Sequence, residues 1–444
     1  MKFPTLIILS GGSSSRFAPL KEKMLFKFLG STLVEHQLKT FKRHGFEKIV
    51  IVTSENNFDE IKNEATRVTP NLEIVIQKGE GMAGAANTAL EKIGDDESVL
   101  IVNMNDIFDD GIFEKLKAHL GTNPSENLFV GFYSEKYFPG GYFTLDGDRV
   151  VGIVEKPGEG NEPSKIVNMV FDYFPNAAVL KKYMAEAASD RDDVYEVAVD
   201  KMMKDGIVFK YAEHKGIWRT IKYPWHVLSM MEYYLSVIGG QEISSKAEIA
   251  KSAKIIGHVV IEEGVKIFDN AVIKGPVYIG KNSIIANNAL VRDSMVGDNC
   301  VIGFSTEIAR SYISESCWFH TNYIGDSVLG KNVSLGSGAV TANLRLDEQE
   351  VKVNVKGERV GTGLIKFGNV IGDNVRIGVN SSLSPGIKVG AYSFVGSGVL
   401  VDEDVEDHKF VKLKQEKEIK ENVFDITKTS RKDIQTGLKN TLSK

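Results

Sequence analysis

Cysteine is nearly absent: the chain of 444 residues has two, Cys300 and Cys317. Two thiols make no disulfide framework, and these fall in no metal-ligand spacing. A stapled secreted scaffold is therefore excluded, and a reducing, cytoplasmic compartment is expected. Long apolar runs are also missing. No segment approaches the ~18 apolar residues of a membrane span, and the run Leu6–Leu9 is too short for a signal peptide and passes straight into glycines. Neither sign of charge is in great excess, since 54 Lys and Arg against 59 Asp and Glu leave a net charge of −5. That balance gives no basis for nucleic acid or an anionic membrane as partner. What remains is ordinary globular chemistry, in a chain too long for one core.

The second half carries an aliphatic ladder. Ile249, Ile255, Ile261, Ile267, Ile273, Ile279, Ile285 and Val291 recur every six residues. Small or β-branched residues follow four positions later at Ala253, Val259, Val265, Ala271, Val277, Ser283 and Ala289. The ladder returns at Ile371, Ile377, Leu383, Val389, Val395 and Val401. A period of six fits neither the 3.6 of a helix nor the alternation of a strand. It fits a coil in which each hexad is one short face, three hexads close a triangular turn, and turns stack at the ~4.8 Å strand spacing. The fold expected for residues 243–402 is therefore an all-β, left-handed parallel β-helix. A stretch about Leu344–Phe367 interrupts the ladder as a loop leaving the coil, and 403–444 reads as a charged tail.

Residues 1–238 read differently. Leu6–Leu9, Lys48–Thr53, Leu72–Gln77, Val99–Val102 and Leu128–Tyr133 read as buried strands. Thr32–His44, Ala83–Ile93 and Phe113–Leu120 carry helical spacing between them. Val151–Glu155 and Ile166–Phe171 add strands, and Tyr223–Val237 closes as a helix before Gly239-Gly240. The pattern predicts an α/β, Rossmann-like domain with a mostly parallel sheet. At the carboxyl end of its first strand lies Gly11-Gly12-Ser13-Ser14-Ser15-Arg16. Open α/β sheets bind ligands there, and such a loop lets backbone N–H groups approach a phosphate while Arg16 grips it. It is neither a Walker loop nor the dinucleotide fingerprint.

The loop continues as Pro19-Leu20, Lys23-Met24-Leu25 and Gly30. With that continuation it resembles the opening of the sugar-1-phosphate nucleotidyltransferases, in particular the N-acetylglucosamine-1-phosphate uridyltransferases. The resemblance implies that Arg16 and Lys23 are catalytic, holding the triphosphate and stabilising charge. It implies that Gly11, Gly12, Ser13 and Gln77 bind the nucleotide, with UTP expected. Asp106 takes the place of the family's Mg²⁺ ligand, and Gly141, Glu155 and Asn168 take its sugar-binding places. Singly, each has a bland alternative: a turn, a cap or a solvated loop. There are departures. Met82-Ala83 stands for a Gly-Thr, Asn105-Asp106 for a Gly-Asp, and Thr220 in Trp218-Arg219-Thr220-Ile221 for the second metal-binding aspartate. A neutral hydroxyl substitutes poorly for a carboxylate on Mg²⁺. Lys222 would supply positive charge instead, and sequence leaves that choice open.

In the second half, His320-Thr321-Asn322-Tyr323-Ile324-Gly325-Asp326-Ser327 is followed by Gly336-Ser337-Gly338 and Asn343. This resembles the acetyltransferase half of the bifunctional glucosamine-1-phosphate acetyltransferase/uridyltransferases, in its archaeal form. The resemblance implies that His320 is the general base. An imidazole titrates near neutrality and suits taking a proton from an amine that attacks a thioester. Tyr323 and Asn343 would orient the amino sugar, Lys352 would add a contact, and Arg292 and Arg310 would hold its phosphate. Acetyl-CoA is the implied co-substrate, lying along the coils, and a homotrimer the implied assembly. The expected function is acetylation of a hexosamine-1-phosphate followed by its transfer to a nucleotide. Two competitors stay open. One is a monofunctional nucleotidyltransferase with the coil as an oligomerisation or regulatory module. The other is an acetyltransferase whose first domain only binds nucleotide.

Overall fold

The computed structural model describes residues 3–423 apart from 13, 71 and 192, together with 425, 430–432, 435 and 436. Ser13 and most of the far tail lie outside the described residues.

Thr5–Ser10 is buried at every position. It pairs in parallel with Ile49–Thr53 on one side and Val99–Asn103 on the other. Strands buried on both faces need no alternation, hence the continuous apolar runs. The nine-strand order is Glu73–Ile76, Ile49–Thr53, Thr5–Ser10, Val99–Asn103, Ile166–Phe174, Asn127–Tyr133, Phe209–His214, Arg149–Glu155, Gly141–Asp146. Only the first four strands form the expected all-parallel run. Ile166–Phe174 enters antiparallel between Val99–Asn103 and Asn127–Tyr133, and Arg149–Glu155 pairs antiparallel with both its neighbours. The sheet is therefore mixed rather than mostly parallel. Arg149 follows Asp146 through a short turn around Gly147, and so short a connection closes an antiparallel hairpin but never a parallel crossover. Among the described residues α1 (Leu33–Arg43), α2 (Phe58–Val68), α3 (Gly81–Leu90), α4 (Gly111–Thr122), α5 (Ala177–Glu186) and α6 (Val194–Lys204) cover the sheet, while α7 (His226–Ser236) packs against the coil. Thr32 caps α1 by accepting the Glu35 N–H.

From Gln241 the chain turns into stacked coils. Ile255 pairs under Ile273, Ile261 under Ile279 and Ile267 under Ile285, all in parallel, so each coil has three strands. The ladder residues fill one continuous core. Each fully buried isoleucine contributes about 1.5–3 kcal/mol. The polar corners are held by asparagines in the left-handed region, among them Asn270, Asn282, Asn288, Asn299, Asn374 and Asn380, a conformation that asparagine tolerates. The insertion is the predicted one: Phe367 N–H donates to Asn343 O, and the hairpin Lys352–Val355/Glu358–Gly361 stands out between them. The coil carries on past residue 402, because Phe410–Val411 still pairs with Phe394–Val395.

The middle coils are shorter than eighteen residues, which the hexad count did not foresee. Ile285 stacks under Ile302 and Ile308 under Ile324. Four five-residue steps make the shortening: one runs from Phe319 to Ile324 through His320-Thr321-Asn322, and three are tight corners, Arg292-Asp293-Ser294, Ala309-Arg310-Ser311 and Gly325-Asp326-Ser327. The middle residue of each tight corner has φ near +50°, a conformation that costs an ordinary side chain about 1–2 kcal/mol. A buried serine follows each time and offsets that cost. Ser294 Oγ donates to Arg292 O and accepts from Ser311 N, and Ser311 and Ser327 repeat the pattern up the column.

Sheet and coil share a buried apolar seam, in which Phe28, Trp225 and Tyr234 meet Tyr278, Tyr312, Val353 and Phe367. Tyr312 Oη donates to Lys27 O and accepts from Lys27 N–H.

Candidate active sites

The first site is a cleft of about 1110 Å³ along the carboxyl ends of the parallel strands, lined by Gly11, Gly12, Lys23, Gln77, Asn105 and Glu196 among others. Strand Thr5–Ser10 delivers the glycine loop to its floor. A Cβ on Gly11 would collide with Gln77 Oε1, so only glycine permits that approach. Gln77 is fixed in turn by donating to the carbonyls of Gly79 and Gly81, each at 3.0 Å. Met82 and Ala83 lie in the first turn of α3 on the same cleft wall. Arg16 is exposed on its loop.

Asp106 is 3% exposed and sits directly opposite Thr220 in a short antiparallel pair. Asn105 Nδ2 ties the two together, 3.3 Å from Asp106 Oδ1 and 2.9 Å from Thr220 Oγ1. Burial pushes the Asp106 carboxyl up, against the pull of Thr220, Lys222, Trp218 and Lys23. Lys23 is half-buried, and that burial lowers its ammonium pKa against the pull of Asp106. Lys222 is brought down to about 8, again by burial first, with Asp106 and Glu155 resisting. The Lys222 ammonium lies over the Phe138 ring, Nζ 3.8 Å from the centroid, and Nζ donates to Pro139 O at 2.8 Å.

The expected sugar-binding residues cluster one step further along. Gly141 pairs with Glu155, whose Oε1 bonds Lys156 Nζ at 2.7 Å. Asn168 is buried beside them, but its amide is already engaged. Oδ1 accepts the Val170 N–H, and Nδ2 lies 3.3 Å from Asp172 Oδ2. Two acids here escaped sequence reasoning. Asp172 is fully buried, hydrogen-bonded by Tyr195 at 2.8 Å and pushed up to about 7 by burial. Glu196 is pushed up to about 8 by burial and then by Glu155. Nothing in their local sequence marks them; only the fold brings α6 over Glu155.

Among the described residues no group of three or more His, Cys, Asp or Glu could cage a metal. Mg²⁺ is commonly held by one or two carboxylates completed by substrate phosphates. Asp106, with the Thr220 hydroxyl beside it, fits that shared mode and not an all-protein cage.

The second site lies on the column of tight corners. Arg310 meets Asp326 in a two-pronged ion pair, Nε to Oδ1 at 2.6 Å and Nη2 to Oδ2 at 2.7 Å. The pair drives the guanidinium pKa higher still. Asn343 Nδ2 also donates to Asp326 Oδ2 and lies 3.1 Å from Tyr323 Oη. A Cβ on Gly325 would fall 2.7 Å from Asn343 Nδ2, which accounts for glycine in the Gly-Asp pair. Asp326 is thus the hub of the cluster, although the motif alone gave it no role. The signal was the tight-corner triplet, recurring at Arg292-Asp293-Ser294 and Gly325-Asp326-Ser327. Arg292 lies one coil earlier, its guanidinium bonded to Glu307 at 2.8 Å. His320 is exposed at a coil corner, fixed by its N–H to Asn322 Oδ1 and its carbonyl from Thr306 Oγ1, both 2.8 Å. Lys352 stands on the inserted hairpin with its side chain exposed and without a hydrogen bond or ion pair among the described residues. The hairpin backbone passes over the Pro385-Gly386 corner, where a Cβ on Gly386 would lie 2.8 Å from Lys352 O.

A mixed α/β sheet with a glycine-rich loop on a large cleft, followed by hexad coils carrying a polar cluster, defines a two-part transferase. Residues 5–221 match the nucleotidyl transferase family, 237–360 the GMPPB C-terminal domain, and 370–403 the bacterial transferase hexapeptide family. The bifunctional sugar-1-phosphate nucleotidylyltransferase/acetyltransferase of Sulfurisphaera tokodaii is 32% identical, over 91% of this chain and 99% of its own length. The bifunctional protein GlmU of Methanococcus maripaludis is 32% identical over 92% and 97%. That of Methanocaldococcus jannaschii is 30% identical over 92% and 98%. The chain belongs to the family of bifunctional sugar-1-phosphate nucleotidylyltransferase/acetyltransferases.

Proposed function

We propose that residues 1–238 join N-acetylhexosamine-1-phosphate to the nucleotidyl group of UTP, and that the coil from residue 243 acetylates hexosamine-1-phosphate from acetyl-CoA. The observation that carries this reading is that one chain holds two separate built clusters: Lys23 and Lys222 around Asp106, and Asp326 with Arg310, Asn343 and Tyr323. In the first, a sugar-phosphate oxygen attacks the α-phosphorus and pyrophosphate leaves. Arg16 and Lys23 oppose the charge that spreads over the phosphate oxygens. Gly11 and Gly12 let the triphosphate reach the backbone, Gln77 faces the base, and Gly141 and Glu155 face the sugar. Mg²⁺ on Asp106 would neutralise further phosphate charge when bound.

In the second cluster the amine nitrogen attacks the thioester carbonyl, the C–S bond breaks, and His320 takes the amine proton. Tyr323 and Asn343 orient the sugar, with Arg292, Arg310 and Lys352 on its phosphate side. The coil is taken as left-handed and the enzyme as a cytoplasmic homotrimer. On one coil face Phe394 and Phe410, 47% and 56% exposed, pack edge to face with ring centroids 5.9 Å apart, which supports association through that face. No described helix is long and apolar enough to cross a membrane.

Thr220 opposite Asp106 favours a second reading, in which the first site binds nucleotide without turnover. The test is a matrix of hexosamine phosphates with acetyl-CoA, and of sugar phosphates with each nucleoside triphosphate, read by mass spectrometry. UDP-N-acetylhexosamine and pyrophosphate should form. Binding of UTP without pyrophosphate from any pair would establish the second reading.

A further inference from the structure

The first site holds two half-buried ammonium groups whose donors its own residues do not fill. Lys23 Nζ makes no hydrogen bond and no ion pair within 4 Å among the described residues, although the side chain is half-buried. Lys222 Nζ has a single hydrogen-bond partner among the described residues, Pro139 O at 2.8 Å, and the Phe138 ring face beneath it. An ammonium carries three donors, so two of those on Lys222 are unmatched. Such half-buried donors, held in place and unmatched, suit an anionic ligand.

The position of Lys222 says which ligand. Its residue follows the Trp218–Thr220 strand, so it is anchored beside Thr220 and Asp106. Its head reaches the Phe138–Gly141 turn, where Gly141 pairs with Glu155. It therefore bridges the reacting end of the cleft and the sugar end, with Asp106 on one flank and Glu155 on the other, and with Arg16 in electrostatic reach. The group that joins those two ends in a sugar-1-phosphate is its phosphate.

We propose that Lys222 binds the phosphate of the sugar-1-phosphate in the nucleotidyl transfer site, as a fixed cation where Thr220 withdraws the second carboxylate from a metal. A carboxylate at 220 would pair with Lys222 and draw a divalent cation between itself and Asp106. A threonine leaves the ammonium free for the anion. The proposal rests on the nucleotidyl transfer reading and gives this chain a specific consequence: its hold on the sugar phosphate depends less on metal than on Lys222.

The test is calorimetric binding of N-acetylglucosamine-1-phosphate, and of unphosphorylated N-acetylglucosamine, in the presence of UTP with an imido bridge between its α- and β-phosphorus atoms. It is run with chelator and again with millimolar Mg²⁺, on the full chain and on Lys222→Met and Lys222→Arg. Met keeps a stem over Phe138 and removes only the charge. The expected result is binding by the unchanged chain in chelator, weakened about tenfold to a hundredfold in Lys222→Met and largely restored in Lys222→Arg. Affinities for N-acetylglucosamine and the nucleotide should not move. Turnover should show the loss in KM for the sugar phosphate more than in kcat. If Lys222→Met binds the sugar phosphate as the unchanged chain does, or loses nucleotide and sugar phosphate together with its thermal midpoint, Lys222 is a structural tie and the proposal is overturned. If the unchanged chain binds the nucleotide but no sugar phosphate in either condition, the nucleotidyl transfer reading itself falls, a result distinct from the first.

Discussion

The two sites treat charge in opposite ways. At the first site, half-buried Lys23 and Lys222 have no carboxylate within 4 Å of Nζ among the described residues, and nearby Asp172 and Glu196 are held toward their neutral forms by burial. On the coil, Arg310 is locked by two bonds to Asp326, and Asp326 in turn holds Asn343. The cleft keeps its cations unpaired for a polyanion that arrives with its own charge. The coil completes its ion pair before any substrate comes. Function and stability should therefore separate in the cleft and stay joined on the coil, because removing an unpaired charge relieves a cost while removing half of a pair creates one.

The largest effect should come from His320→Ala. Loss of a general base typically costs about 10²–10⁴-fold in rate, so acetyl transfer should nearly vanish while pyrophosphate release is unchanged. Retained CoA release in a folded variant would remove His320 from the reaction. Next comes Lys23→Met, which should lower nucleotidyl transfer about 10²–10³-fold with the thermal midpoint unchanged or higher. A falling midpoint would contradict the unpaired-cation account. On the coil, Asp326→Asn should raise the KM of the amino sugar and also lower stability by about 1–2 kcal/mol, because it leaves a half-exposed Arg310 without its partner. Urea unfolding read beside acetyl transfer measures both.

The smallest effect concerns pH. Glu196 is raised from 4.5 to about 8, so the folded chain keeps a proton that the unfolded chain has released. Stability should fall as pH rises from the ordinary carboxyl range toward 8, and level off above it. Above that value a new charge appears beside Glu155, and KM for the sugar phosphate should rise. Glu196→Gln should flatten that rise; an unaltered profile would assign the titration to another group.

The coil was the most legible part, because two side chains in every six face a common core and the period survives in the text of the chain. Its tight corners were not, since a five-residue step at Val291–Val296 looks like noise until Ser294 and Ser311 are seen bonding coil to coil. In the first half the parallel strands were readable from their apolar runs. The antiparallel entry of Ile166–Phe174 was not, because strand direction depends on distant pairing. Among site residues, the motif positions Gly11, Lys23 and Gln77 share one cleft, and Asp106 lies buried next to Asn105 on its lining. Glu196 reaches the cleft only through the packing of α6 against the sheet, and Asp172 lies buried under Tyr195 of the same helix, which no local spacing encodes.

The central claim is that one chain carries two independent transfer sites. It is tested most directly by following CoA release and pyrophosphate release in one preparation of the unchanged chain, His320→Ala and Lys23→Met. The account predicts that His320→Ala loses only CoA release and Lys23→Met only pyrophosphate release when N-acetylglucosamine-1-phosphate is supplied. Loss of both signals in either variant, with the fold intact, would contradict it.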